Sequence, residues 1–329
     1  MNNPLVTVVI PTYNREKLLP RAINSVLNQT YQKWELIIVD DRSTGDTEEL
    51  VQDYIKKDKR IRYVKNTHNQ GPAGARNQGT EVSGGEYIAF LDSDDEWKNN
   101  HLKDTIEGFE KNKDVDWIYA DGEIFKDDKM IVRSIFKEHW KGKNKFIIER
   151  KGDLSLLSEN KLLTNALKYG IYTGCQVSVM RKRLFEKIKF DESFYFGGIE
   201  DRLAPLEAIA KGFRLAYMDM VHLIRHVHKD SISASIQDKP VEDLLRIFKE
   251  LERLYKIIPQ KISLTGRQKR IINDKLADLY FWDLGYNCCL KIKDYNQARE
   301  YFLKALKLNP FNLKFWKTFI FRIILKIPI

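Results

Sequence analysis

Cysteine is scarce in this sequence. Only Cys175, Cys288 and Cys289 occur among 329 residues, and none has the spacing of a zinc site or a disulfide framework. Sparse, unpatterned cysteine is typical of proteins of the reducing cytosol. The composition therefore predicts a cytoplasmic protein.

Long apolar runs are also missing. No stretch of about eighteen uncharged apolar residues occurs, so we expect no transmembrane helix. No basic segment or cleavage site precedes the first apolar segment at Leu5, so we expect no signal peptide. With 43% hydrophobic and 31% charged residues, the chain has the composition of a globular protein with one large and one smaller domain.

Positive charge is concentrated at one end. The net charge is +10, and residues 239–329 alone contain 19 basic against 9 acidic residues, whereas residues 1–110 are acidic overall. A basic end is typical of a solvated helical surface, and it can also meet anionic lipid or nucleic acid. We predict no nucleic-acid partner, and the sequence does not indicate an oligomeric state.

The first hundred residues alternate between strand and helix patterns. Short apolar runs at residues 5–10, 34–39, 61–64 and 87–91 predict four strands, with helices predicted over residues 15–28, from about residue 46 and from about residue 71. Such alternation predicts an α/β fold with a mostly parallel sheet, whose ligands bind at the carboxyl ends of the strands. A polar cluster stands at each of these ends, which places the predicted site there.

The C-terminal part is predicted to be helical. We place a domain boundary near Pro240 and expect an α/β domain over residues 1–238 and a basic helical domain over residues 239–329. Residues 276–308 resemble one tetratricopeptide repeat, because Trp282, Ala298, Phe302, Ala305 and Pro310 have its spacing. Tyr286 departs from the repeat, which has a small residue at that position. We interpret the segment as a helical hairpin packed on the main domain.

The sharpest chemical signal is the acidic cluster at residues 92–95 (DSDD). In an extended segment, residues two apart point the same way, so Asp92 and Asp94 can face one ligand together. Two neighbouring carboxylates repel each other unless a cation lies between them, and oxygen-only ligands suit Mg²⁺ or Mn²⁺. An acidic cluster is also often only a solvated turn, so the neighbouring motifs decide between these interpretations.

Four motifs follow one another at the predicted strand ends: residues 8–15 (VVIPTYNR), 38–41 (IVDD), 71–77 (GPAGARN) and 92–94 (DSD). In this combination the sequence resembles the family 2 glycosyltransferases of GT-A fold, over roughly residues 4–235. The resemblance implies a Rossmann-like sheet flanked by helices and a nucleotide-sugar donor, with UDP as the expected nucleotide.

The same resemblance implies roles in donor binding. Tyr13 would stack on or edge the nucleobase, and Pro11 and Thr12 would line its floor through backbone contacts. Asp41 would accept a hydrogen bond from the base, and Arg76 would lie near the base or the diphosphate. A core tyrosine, a turn-capping aspartate and a surface arginine are the structural alternatives.

Metal binding and proton transfer are implied further along the chain. Asp92 would bind the ribose or the metal, and Asp94 the metal directly. The sequence at residues 197–201 (GGIED) resembles the family's Glu-Asp pair, which makes Asp201 the predicted catalytic base. Asp201 also precedes a helical pattern, so helix capping is the alternative role, and a helix N-terminus would keep its pKa from rising strongly.

A histidine cluster follows at His222, His226 and His228. The family often has Arg-x-His-x-x-Ser here; His228 and Ser231 fit its His and Ser, while His226 stands where the Arg would be and Arg225 lies beside it. His228 is therefore predicted to complete the metal shell or touch the diphosphate, with a structural histidine as the alternative.

The implied reaction is a single, inverting displacement that moves a sugar from a nucleoside diphosphate to a glycan or lipid-linked acceptor hydroxyl, in polysaccharide or glycoconjugate synthesis. Two other classes stay open. A nucleotidyltransferase also uses carboxylates and metal, but residues 71–74 are short for a phosphate loop and lack lysine. A non-catalytic helical scaffold would not require Asp92, Asp94 and Asp201 together.

The last segment, residues 311–329, is basic and amphipathic. Four basic residues and no acidic residue occur in it. On a helix, an apolar sector opposes these charges; its members are Leu313, Trp316, Ile320, Ile323, Ile324 and Ile327. This composition predicts peripheral contact with an anionic membrane, and the alternative is that the apolar sector closes the helical hairpin.

Overall fold

The computed structural model describes residues 3–140, 142–157, 161–194, 198–228 and 240–320. The chain divides into two compact units, Met1–Ser231 and Ile232–Ile329. Each unit has its own buried apolar core.

The first unit begins with the alternation that the sequence predicts. Its elements are β1 Val6–Thr12, α1 Leu19–Leu27, β2 Trp34–Asp40, α2 Thr47–Lys57, β3 Ile61–Lys65, α3 Pro72–Glu81 and β4 Tyr87–Phe90. The strands lie in the order β3-β2-β1-β4, and all their pairings are parallel. Their carboxyl ends therefore share one edge of the sheet.

The rest of the unit extends this sheet. Its elements are β5 Glu96–Trp97, α4 His101–Lys111, β6 Trp117–Lys126, β7 Lys129–Val132, α5 Ile135–His139, β8 Ile147–Lys151, β9 Leu154–Leu157, α6 Leu162–Tyr169, β10 Ser178–Arg181, α7 Glu200–Ala210 and β11 Leu215–Val227. The order is β3-β2-β1-β4-β10-β6-β11-β9-β8. Because β10 runs antiparallel to β4 and β6, the sheet is mixed; among the described strands, the first four and the β6–β11 pair are parallel. The α/β prediction is confirmed.

Helix α3 packs closely on the sheet. The apolar side chains of β1 and β2 are buried, because helices cover the sheet. A Cβ atom at Gly79 would lie only 2.4 Å from Cγ1 of Val9, so α3 approaches β1 more closely than a larger residue would allow. This approach brings the start of α3 beside the ends of β1, β2 and β4.

The second unit is helical, as predicted. It contains α8 Val241–Lys261, α9 Gly266–Asp278, a π-helical segment Leu279–Leu290, α10 Tyr295–Leu308 and α11 Leu313–Phe319. The hairpin interface is closed by Ala298, Phe302 and Ala305, which are fully buried. The small residue facing Phe302 is Gly285, since its Cβ would lie 2.7 Å from that ring. The small residue that the tetratricopeptide pattern requires is therefore Gly285, one residue before Tyr286, in the π-helical segment.

Candidate active site

The segments that follow β1, β2 and β4 lie side by side. β1 pairs with β2 on one side and β4 on the other, with Thr12 opposite Asp40 and Val9 opposite Phe90. The amide of Asp41 donates to the carbonyl of Thr12 at 2.8 Å. Parallel pairing therefore brings the predicted polar clusters to one edge of the sheet.

Asp41 is buried in the loop between β2 and α2. Its carboxylate accepts hydrogen bonds from Nδ2 of Asn66 at 2.6 Å and from the amide of Gly71 at 2.7 Å. Burial raises the pKa of Asp41, and the Asn66 and Gly71 donors oppose this rise. These contacts hold its carboxylate at the start of α3.

The end of β1 combines an exposed ring with a buried hydroxyl. The side chain of Tyr13 is 46% exposed, which excludes the core tyrosine alternative. The Thr12 hydroxyl is buried, and no hydrogen-bond partner for it occurs among the described residues. Pro11, also in β1, is half-buried and pairs with Val39 of β2. An open ring beside an unpaired polar atom suits a ligand surface.

Three carboxylates meet after β4. One oxygen from each of Asp92, Asp94 and Asp95 can be chosen so that all lie within 4.8 Å of one another. Burial, and then the Asp94 charge, raise the pKa of both Asp92 and Asp95, with Arg76 opposing the rise at Asp92. Crowded carboxylates of this kind favour a bound divalent cation. The residues present therefore fit Mg²⁺ or Mn²⁺.

Sequence reasoning missed Asp95. We expected an extended segment in which alternate residues share a face, but the amide of Asp95 donates to the carbonyl of Asp92 at 3.2 Å and closes a turn. The Asp95 carboxylate accepts from the amide of His226 at 3.1 Å. The available signal was the presence of three acidic residues within four positions, since a turn brings positions i and i+3 together.

The three histidines in and just after β11 have different surroundings. Nε2 of His228 lies 3.0 Å from Oδ2 of Asp94, and Nε2 of His226 lies 2.8 Å from Glu96. His222 is buried beside His101, and burial lowers its pKa to about 4. Of the three, His228 is the histidine whose ring contacts the acidic cluster, whereas His226 contacts it through its backbone amide. Ser231 lies outside the described residues.

Arg76 joins the acidic cluster to α7. Its guanidinium is buried and donates to Oε1 of Glu200 at 2.8 Å and to Oδ1 of Asp92 at 3.0 Å. The surface-arginine alternative is wrong. Because both terminal nitrogens are bound to carboxylates, contact with the donor stays a prediction.

Asp201 lies in the first turn of α7, directly after Glu200. α7 begins at Glu200 after Ile199, and no side chain caps it, so the capping alternative is not supported. Burial, and then the Glu200 charge, raise the pKa of Asp201 to about 7, with Arg76 opposing the rise. Our expectation that the pKa of Asp201 would not rise strongly is wrong, because burial, followed by the Glu200 charge, outweighs the helix N-terminus. No hydrogen bond to Asp201 occurs among the described residues.

These features define a transferase of GT-A fold, with an acidic cluster at the sheet edge that Arg76 joins to the first turn of α7. The chain belongs to glycosyl transferase family 2, whose sequence pattern matches residues 7–188. That match includes the ends of β1, β2 and β4 but not Glu200 and Asp201.

Two relatives match about 58% of the chain. A UDP-Glc:alpha-D-GlcNAc-diphosphoundecaprenol beta-1,3-glucosyltransferase of Escherichia coli is 34% identical over 190 residues, 65% of its length. A GalNAc(5)-diNAcBac-PP-undecaprenol beta-1,3-glucosyltransferase of Campylobacter jejuni is 32% identical over 193 residues, 56% of its length. The chain thus spans less than two thirds of these relatives.

Solved structures support the fold. S. aureus TarS residues 1–349 in complex with UDP-GlcNAc superposes with a TM-score of 0.64 and 20% identity, covering 92% of this chain and 81% of that one. The mannosyltransferase PcManGT of Pyrobaculum calidifontis, in complex with GDP-Man and Mn²⁺, gives a TM-score of 0.56 and 17% identity, covering 93% and 76%.

Proposed function

We propose that the chain transfers a sugar, with inversion, from a UDP-sugar to the hydroxyl of a lipid-linked glycan during polysaccharide synthesis. The observation that carries this proposal is that Arg76 joins Asp92 of the acidic cluster to Glu200, the residue directly before Asp201. Asp201 itself has a raised pKa, and no hydrogen-bond partner for its carboxylate occurs among the described residues. The undecaprenol-linked substrates named for the two relatives support the choice of acceptor.

In this proposal the end of β1 binds the nucleobase. Tyr13 offers its exposed ring for stacking, and Thr12 and Pro11 form the floor. Asp41 accepts a hydrogen bond from the base. Stacking is tolerant of the base, so Asp41 is the residue that would distinguish one base from another.

Asp94, Asp92 and His228 would hold the metal, Mn²⁺ or Mg²⁺. When bound, the cation neutralises charge on the diphosphate. Asp95 is more deeply buried and accepts a hydrogen bond from the amide of His226, so we assign it a structural role beside the metal ligands. Arg76 holds Asp92 in place.

Asp201 is proposed to act on the acceptor. Its carboxylate takes the hydroxyl proton while the acceptor oxygen bonds to the anomeric carbon of the donor sugar. The bond from that carbon to the diphosphate oxygen breaks, and the electron pair leaves with the diphosphate. Attack from the opposite face inverts the anomeric centre.

A panel of UDP-, GDP- and dTDP-sugars with Mn²⁺ tests this function. We expect slow, acceptor-independent release of UDP from at least one UDP-sugar, measured by chromatography. Pyrophosphate formation from UTP and a sugar phosphate would instead identify a nucleotidyltransferase. A chain without either activity, and without metal-dependent UDP binding, would support the scaffold alternative.

The proposed role of Asp41 predicts a ligand-selective loss. Asp41→Ala should weaken UDP binding more than pyrophosphate binding, because only UDP carries the base; calorimetric titration of both ligands measures this. Asp40→Asn is the matched control, since Asp40 is equally buried but binds Ser43 and Tyr63. Equal losses for both ligands in Asp41→Ala would make Asp41 a structural residue.

We also propose that α11 contacts an anionic membrane surface. Phe315 and Phe319 close the hairpin, the former stacked on Phe281 with 4.3 Å between ring centroids. The described members of the predicted apolar sector, Leu313, Trp316 and Ile320, are instead exposed. The others lie outside the described residues. No described helix is long and apolar enough to cross a membrane.

Vesicle sedimentation tests this surface. The triple variant Phe311→Ser, Leu313→Ser, Trp316→Ser should lose salt-sensitive binding to vesicles of phosphatidylglycerol and phosphatidylcholine, because exposed apolar area and basic residues act together at such interfaces. Met130→Ser with Ile131→Ser, an exposed apolar pair on β7, is the control. Unchanged binding of the triple variant would exclude the α11 surface.

A further inference from the structure

One carboxylate oxygen of Glu200 has no hydrogen-bond partner in the part of the chain that the structure describes. Its side chain is buried, and Oε1 accepts from Arg76 at 2.8 Å. Oε2 is equally buried and has no hydrogen-bond partner among the described residues. A buried, unpaired carboxylate oxygen is unfavourable, so its presence beside a proposed site indicates that a ligand completes it.

The orientation of this oxygen is fixed by Arg76. The guanidinium is 4% exposed, donates also to Asp92, and lies 5.7 Å from the centroid of the Phe190 ring. With Oε1 held in this way, the Glu200 carboxylate cannot rotate without breaking a buried ion pair. Oε2 is therefore a preorganised acceptor rather than a mobile side-chain atom.

The surrounding charges limit what can bind there. Asp92 and Asp201 both act electrostatically on the Arg76 guanidinium that holds Glu200, so carboxylates surround this position. An anionic group such as phosphate would be repelled. A neutral hydrogen-bond donor fits, and a sugar bound between the acidic cluster and Asp201 presents hydroxyl groups as its donors.

We propose that Oε2 of Glu200 accepts a hydrogen bond from a hydroxyl group of the bound sugar and thereby selects sugars that carry that hydroxyl. This inference rests on the proposed function. The hydroxyl belongs to the transferred sugar or to the acceptor sugar, and the two sources give different experimental results. Glu200 is thus a specificity-determining residue, and Arg76 is the residue that positions it.

Glu200→Gln tests the proposal because Arg76 fixes the orientation of the new amide. The amide oxygen faces Arg76, so its NH₂ group takes the place of Oε2 and a donor replaces an acceptor. Each substrate, UDP-glucose or the acceptor, is compared with its monodeoxy analogues, each of which lacks one hydroxyl. Wild-type kcat/KM should be about 10- to 100-fold higher for the substrate than for the analogue that lacks the recognised hydroxyl. In Glu200→Gln this ratio should fall several-fold, because the sugar hydroxyl then accepts from a neutral amide instead of donating to a carboxylate.

Two assays identify the source of the hydroxyl. If it belongs to the donor, the ratio collapses both in acceptor-free UDP release and in transfer. If it belongs to the acceptor, the ratio collapses in transfer alone. Glu200→Asp keeps the negative charge beside Arg76, but its shorter side chain moves the free carboxylate oxygen away from the sugar. This variant should also lose the preference for the substrate over the monodeoxy analogue, and it replaces Glu200→Gln if that variant does not fold.

Glu207→Gln, a buried glutamate on the same helix, is the control and should keep the wild-type ratio. A wild-type ratio in both folded Glu200 variants, across every monodeoxy analogue and both assays, would overturn the proposal. Wild-type protein with neither UDP release nor transfer would instead contradict the proposed function.

Discussion

Replacing Asp201 with asparagine is expected to lower sugar transfer by roughly 10²–10⁴-fold, the usual contribution of a general base. Asparagine keeps the shape of the side chain but cannot take the acceptor proton. Because the proposed donor-binding residues lie on other elements, the dissociation constant for UDP with Mn²⁺ should stay near the wild-type value. Single-turnover transfer and calorimetric UDP titration measure the two effects separately.

The raised pKa of Asp201 adds a pH dependence. Only the ionised carboxylate accepts a proton, so wild-type kcat/KM should rise with pH through about 7 and then level off. The kcat/KM of Asp201→Asn should not show this rise with pH. Stability changes with pH in the opposite direction. Because folded Asp201 holds its proton more tightly than the unfolded chain does, its contribution to the free energy of unfolding falls as the pH rises from about 4 to about 7.

Thermal unfolding distinguishes a catalytic from a structural Asp201. The stability of Asp201→Asn relative to wild type should be higher at pH 8 than at pH 5, because the variant avoids ionising a carboxyl whose pKa is raised to about 7. A variant that is destabilised at both pH values and no longer binds UDP would make Asp201 a structural residue and contradict its assignment as the base.

Asp94→Ala should abolish turnover and remove the metal dependence of UDP binding. Asp94 supplies the carboxylate that contacts His228, and its loss leaves Asp92 committed to Arg76 and Asp95 committed to the backbone of β11. The expected result is that Mn²⁺ no longer strengthens UDP binding, as measured by titration with and without the ion.

Asp53→Ala, at an exposed aspartate of α2, controls for the loss of one negative charge. EDTA should reproduce the Asp94→Ala effect in wild-type protein. Full transfer activity in Asp94→Ala, or in wild type with EDTA, would contradict a metal-assisted mechanism.

Local sequence signals predicted the features that depend on neighbouring residues. The apolar periods located β1, β2, β3 and β4 to within two residues, since burial of a strand requires a continuous apolar run. The end of each strand then located the polar clusters, because parallel strands bring their carboxyl ends to one edge. Family resemblance added Asp201, whose role remains a proposal.

Antiparallel β10 was outside what these signals could predict. It has only four residues, and their apolar pattern does not encode direction. Strand direction is decided by which neighbours complete its hydrogen bonds, here β4 and β6. Periodicity also could not predict which face of α11 is buried. It identified an apolar sector that does not include Phe315, whereas in the structure Phe315 is the residue that packs against Phe281.

The sequence by itself therefore determined the α/β order, the functional edge of the sheet and the acidic cluster, because these follow from periodicity and from adjacent residues. Only the tertiary structure decided that Asp95 turns back toward Asp92, that Arg76 joins Asp92 to Glu200, and that the pKa of Asp201 is raised. Those properties arise from burial and from charges that are distant in sequence, and both exist only once the chain has folded.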